Sequence, residues 1–208
     1  MKWADAGFLG FDVETSGLDS ARHRVIEIGL VWVRGDGEVE AYFSELCHWG
    51  DGAVDPGALA VNRILPQDLE GRPTFDERLP EVLGFACQAI EAGAIPLAYN
   101  APFDTGFIRG AVRRTRSDYN PFDVNQCIDP LPFARSSGLQ KNKLTDLCGR
   151  LGVPMSVAHR AGDDALAAVQ VFRRLATDLC LPEHLEPLLL AQWAAVRVWE
   201  KHTGYRYS

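Results

Sequence analysis

No apolar stretch in this sequence approaches the roughly 18 residues that a membrane helix needs, so a spanning chain is not expected. There is no internal repeat and no low-complexity tract. Hydrophobic residues at 47% and charged residues at 24% exclude a disordered, collagen-like or coiled-coil chain and fit a folded one. The opening MKWADAGFLGFDVET carries one Lys, an early Asp5 and too short an apolar run for a secretory signal, so a cytoplasmic protein is expected. Cysteine is sparse and unpaired in pattern. Cys47, Cys87, Cys127, Cys148 and Cys180 are odd in number and widely spread, with no C-x-x-C, which argues against a disulfide framework or a zinc site and for reduced thiols.

Basic residues are scarce in the first half. Residues 1–104 carry 7 Lys+Arg against 18 Asp+Glu, a balance of −11, whereas residues 105–208 carry 14 against 10, or +4. The overall charge of −7 therefore hides an acidic half able to hold cations and a basic half able to face phosphate. A length of 208 residues suits one domain with at most an appendage.

Apolar Gly7–Asp12 reads as a buried strand ending in the Gly-bearing turn Glu14-Thr15-Ser16-Gly17. RVIEIGLVWVRGDGEVEAYFSEL reads as two strands about the hairpin turn Gly35-Asp36-Gly37. From Cys47 to Pro73 the composition predicts mostly loop, with a helical turn near Pro56–Val61. Thr74 with Glu77 three residues on is a capping-box signature for a helix to about Ala92. Further helices are expected over about 103–116, over the i, i+3, i+4, i+7 series Leu144, Leu147, Cys148, Leu151, over about 162–179 and over about 183–201, with a brief strand near Asn125–Ile128. Strands first, then alternating helix and strand, predict a mixed-sheet α/β domain.

Three places carry residues suited to chemistry. Asp12 and Glu14 lie two apart on a strand, hence on one face, and two ionised carboxylates there repel unless a cation neutralises them. Oxygen-only ligands favour a hard ion, Mg²⁺ or Mn²⁺. D-x-E also occurs at Asp36/Glu38 and Asp68/Glu70, but only the first follows a buried apolar run. Asn100 and Asp104 flank a strand-to-helix junction, where they serve either a site or simply the helix start. His159, alone among the five histidines, has an Asp five residues later, Asp164, with Asp163 as its rival. A loop histidine beside a bound water suits a general base.

Taken in order with their flanks, FDVETSGL, AYNAPFDTGFI and HRAGDDA resemble the three motifs of the DEDDh 3′→5′ exonucleases, in particular the epsilon proofreading subunits of bacterial DNA polymerase III and their relatives. KLTDLCGRLGV, CIDPLPFAR and LEGRPTF resemble further segments of that family, so the likeness covers about residues 6–180. It implies a ribonuclease H-like fold, with a mixed sheet of about five strands flanked by helices, over an exonuclease domain at 1–180. Residues 181–208 would be a helical extension of unknown role. It also implies two divalent cations, Mg²⁺ or Mn²⁺. Asp12 would bridge both, Glu14 and Asp164 would complete one site, and Asp104 would support the other. His159 would take a proton from the attacking water. Thr15 would meet the terminal 3′-hydroxyl, Leu18 would wedge against the last bases, and Asn100 and Phe103 would shape the site.

The implied substrate is the 3′ end of nucleic acid, single-stranded DNA first, with release of nucleoside 5′-monophosphates; a DNA polymerase subunit is the implied partner. A 3′-trimming exoribonuclease and a non-catalytic nucleic-acid-binding module are the alternatives, and a mere scaffold would leave the carboxylates unexplained. Arg109, Arg113, Arg114, Arg116, Lys141, Lys143 and Arg160 are the cations near the second and third motifs that could meet phosphate. One departure stands out: Asn62-Arg63 occupies a loop position where relatives commonly have His-Gly.

Overall fold

The computed structural model describes residues 1–155, 160–203 and 207. Three strands, β1 (Phe8–Thr15), β2 (Val25–Val33) and β3 (Val39–Leu46), open the chain. Helices α1 (Pro56–Asn62), α2 (Pro66–Leu69) and α3 (Phe75–Glu91) precede strand β4 (Ile95–Leu97). Five helices follow: α4 (Ala101–Thr115), α5 (Pro130–Ser136), α6 (Leu144–Leu151), α7 (Ala161–Asp178) and α8 (Leu185–Thr203). The sheet order is β3-β2-β1-β4, with β1 antiparallel to β2, β2 antiparallel to β3, and β4 parallel to β1.

Alternation along β1 sorts its side chains to two faces. Leu9, Phe11 and Val13 join the core beneath α3 and α4, with Phe75, Val82, Phe107 and Ile108. Phe8 faces the other way, packing with Val169 and Phe172 of α7. Gly10 shares that face, and a Cβ there would stand 2.7 Å from the Ala165 carbonyl oxygen, so α7 rides directly on the strand. Asp12 and Glu14 continue the same face toward the end of β1.

Local rules account for most elements. Thr74 caps α3 in a full capping box with Glu77, and Pro80 is accommodated in the second turn. The β2–β3 hairpin turns where Gly35-Asp36-Gly37 predicts, with Gly37 at φ 97°. The short helices α2 and α5 go beyond what the sequence predicts.

The sheet has four strands rather than about five. The expected strand near Asn125–Ile128 shrinks to one bridge, in which Ala98 N–H donates to the Ile128 carbonyl at 3.1 Å and Ile128 N–H to that of Pro96 at 2.9 Å. Pro96 and Pro130, which stand at the next donor positions on either side of the bridge, have no N–H to give. Gln192, fully buried, accepts from Asp129 N–H at 2.8 Å and donates to the Cys127 carbonyl at 3.0 Å, and Pro130 then starts α5. The Gln192 side chain thus covers the outer edge of the bridge, away from β4.

The segment around α8 is tied into the fold at its start. Trp3 N–H donates to the Glu183 carbonyl at 3.0 Å, Leu185 N–H to that of Met1 at 3.1 Å, and Lys2 pairs with Glu183 at 2.8 Å. Leu188 is buried in the α7-side core. Cys47, Cys127 and Cys148 are buried free thiols, while Cys180 is exposed. Among the described residues no helix is long and apolar enough to cross a membrane.

Candidate active site

Carboxylate oxygens of Asp12, Glu14 and Asp164 all lie within 4.8 Å of one another. Two come from the end of β1 and the third from the first turn of α7, so the seat of α7 on the sheet sets the spacing. Asp163 is not in this group; its charge bears on the Tyr42 hydroxyl of β3 instead. Asp104, in the first turn of α4, is buried, and its Oδ1 accepts from Val13 N–H at 2.9 Å, between Asp12 and Glu14. That bond pins α4 to β1.

The acids weaken one another. Loss of solvent is the largest cause that raises Asp12 well above the ordinary carboxylate range, followed by the charges of Asp104, Glu14, Asp164 and Glu27. Burial, then Asp164 and Glu27, push Glu14 up to about 8, against the relief of Arg160. Asp104 is also raised by burial, and the Val13 N–H opposes this. Crowded, desolvated carboxylates with oxygen as the only donor type fit a hard divalent cation, which would compensate the charge. His159 falls outside the described residues.

Thr15 and Leu18 follow the acids. Thr15 is buried, its hydroxyl donates to the Gly17 carbonyl at 2.7 Å, and its own carbonyl accepts from Asn62 Nδ2 at 3.0 Å. Leu18 is 80% exposed, unusual for leucine. It borders an open depression of about 240 Å³ with Asn100, Phe103 and Arg109. Three residues singled out from two separate motifs thus line one hollow, and Arg109 joins them.

Asn100 does not cap α4 through its side chain. It sits at φ 65°, and Asp129 accepts from Asn100 N–H at 3.0 Å and Ala101 N–H at 2.9 Å. The same carboxylate accepts from Leu131 N–H at 2.8 Å and the Tyr207 hydroxyl at 2.6 Å. Of the expected phosphate-facing cations, Arg114 makes a two-pronged pair with Asp76 at 2.7 and 2.8 Å, and Arg160 is engaged with Glu27. Sequence reasoning misses Glu27. The available signal was a lone acid inside the apolar run RVIEIGLVWV, at a position whose side chain shares the face of Gly29.

Four acids are thus gathered where β1, α4 and α7 meet on a mixed α/β sheet. The chain belongs to the exonuclease family: that family's model (RNase_T, Exonuclease) matches residues 9–172. The chain is 32% identical over 177 residues to the PolC-type DNA polymerase III of Clostridium perfringens, covering 81% of this chain and 11% of that protein. It is 30% identical over 169 residues to the DNA polymerase III subunit epsilon of Treponema pallidum, covering 79% and 74%. The chain thus spans about a tenth of the length of the PolC-type relatives. In fold it is similar to E. coli Exonuclease I bound to a dT13 oligonucleotide, with TM-score 0.67 and 20% identity over 83% of this chain and 41% of that one. It is similar too to the nuclease domain of 3′hExo bound to rAMP, with TM-score 0.64 and 18% identity over 84% and 94%.

Proposed function

We propose that this chain is a divalent-metal-dependent 3′→5′ exonuclease that shortens single-stranded DNA ends and releases nucleoside 5′-monophosphates, in proofreading or repair. The observation that carries this reading is the meeting of Asp12, Glu14 and Asp164 oxygens within 4.8 Å beside buried Asp104. Mg²⁺ or Mn²⁺ ions held by these four acids would stabilise the attacking and leaving oxygens of an in-line displacement.

The chain's own groups supply the rest. The Thr15 peptide, fixed by Asn62, is suited to grip the terminal 3′-hydroxyl. Exposed Leu18 and half-buried Phe103 offer apolar surface to the last bases, Asn100 borders the same hollow, and Arg109 brings a positive charge to its rim. His159, by its place in HRAGDDA, takes the proton from the attacking water. The DNA polymerase III relatives support DNA as substrate, a polymerase as partner and a cytoplasmic setting. A 3′-trimming exoribonuclease is the second reading, favoured by the fold's likeness to a nuclease domain bound to rAMP.

The deciding experiment uses 5′-labelled single-stranded DNA and RNA of one sequence, with and without Mg²⁺ or Mn²⁺. The expected result is a metal-dependent ladder shortening from the 3′ end, faster on DNA, absent in D12A and D164A and retained in D163N. H159A should be slower by about 10²–10⁴. No cleavage by folded, metal-loaded protein would overturn the reading in favour of a binding module; a faster RNA ladder would move it to the second.

A further inference from the structure

Glu27 is fully buried, yet no catalytic duty falls to it. In the β1–β2 register it pairs with Glu14, so a fifth carboxylate stands directly beside the acid group. Its Oε1 accepts from Arg160 Nε and Nη2, each at 3.0 Å, and from Ser44 Oγ at 3.4 Å. Among the described residues its Oε2 is buried without a hydrogen-bond partner, and the nearby Ala161 N–H favours the charged form. A buried acid is costly, and it costs most when its partner is removed.

Those partners lie at the entrance to α7. Arg160 occupies the N-cap position and provides no side-chain cap. The first N–H groups of a helix need acceptors, and its positive end favours an anion. Glu27 brings a negative charge to that end from the neighbouring strand and holds Arg160, the residue at the N-cap position. Asp164 lies in the turn so fixed, its N–H donating to the Arg160 carbonyl at 3.0 Å. Two positions along β2, Gly29 brings its backbone against Ala161 and Gly162.

We propose that Glu27 is a positioning residue: from β2 it engages Arg160 at the entrance to α7, thereby setting the reach of Asp164 toward Asp12 and Glu14. This deepens the exonuclease reading, and it assigns Arg160 to Glu27 rather than to the phosphate backbone.

The test combines Mn²⁺ affinity by calorimetry, which needs no activity, with kcat and KM on single-stranded DNA for E27A, E27Q, R160A and the E27A/R160A pair. E27A should weaken Mn²⁺ binding and lower kcat by tenfold or more, with KM within threefold. E27Q, which keeps a carbonyl acceptor for Arg160, should recover most of both. The double variant should lose no more than E27A alone, because the two residues act as one unit. Mn²⁺ affinity unchanged in E27A, or E27Q as poor as E27A, would overturn the proposal. So would an R160A effect that falls on KM and multiplies with that of E27A. If E27A does not fold, E27Q, R160A and E27Q/R160A decide in its place: coupled losses in Mn²⁺ affinity and kcat support the proposal, and independent ones overturn it. Inactive wild-type protein would sink the exonuclease reading, while the Mn²⁺ series would still judge Glu27.

Discussion

Glu14 shows how a single side chain reports on the site around it. Its pKa, about 8 in the fold against an ordinary 4.5, means that the folded chain keeps a proton at pH 5–7 that the unfolded chain has lost. This contribution to stability is fully present below the ordinary value and disappears as pH rises through about 8. Asp12 and Asp104 are raised in the same sense. In chelator, thermal unfolding should therefore shift to lower temperature between about pH 5 and 9. Saturating Mg²⁺ should cancel or invert the trend, since cations bind the deprotonated acids. Calorimetric scans across that range check it, and a flat profile in chelator would count against the crowding. At this scale the sequence was informative about Asp12, Glu14, Asp104 and Asp164, because carboxylates after a buried strand or at helix starts are conspicuous. Glu27 was not legible, since its meaning depends on a residue 133 positions away.

Among the elements, α7 governs the geometry, and glycine lets it come close. A Cβ at Gly29 would lie 2.2 Å from the Gly162 nitrogen and 2.3 Å from the Ala161 carbonyl carbon, both rigid backbone. G29A should lift the start of α7, destabilise the fold by about 1–3 kcal/mol, and cost more turnover than that loss alone explains, because Asp164 moves. Gly84 makes the contrast: it is exposed within α3, and an added methyl group would meet nothing within 4 Å, so alanine there should be tolerated and gain about 0.5–1 kcal/mol. Denaturant unfolding and turnover measured on both variants check the pair. The longer helices were legible from periodicity and from the Thr74–Glu77 cap, whereas the short α2 and α5 were not. The fifth strand was misjudged because Ile128 has strand character locally, whereas the limit set by Pro96 and Pro130 becomes visible only once the register with β4 is known.

The molecule as a whole is held by contacts that no local pattern announces. Asp129 gathers the starts of α4 and α5, Tyr207 and, through its own N–H, Gln192 of α8. Y207F should lower stability by about 1–3 kcal/mol, since a short bond to a buried carboxylate is lost, with turnover well below the melting temperature little changed. Thermal unfolding with parallel activity assays checks this. The family match ends at residue 172, before Gln192 and Tyr207, so it offered no template for those two ties. The seam between residues 2–3 and 183–184 has a further consequence. It lies at the entry to β1, and Glu14 stands six residues along that strand from Phe8, roughly 20 Å away at about 3.3 Å per residue. The seam and the acids thus sit toward opposite ends of β1, a strand held by a partner on each side.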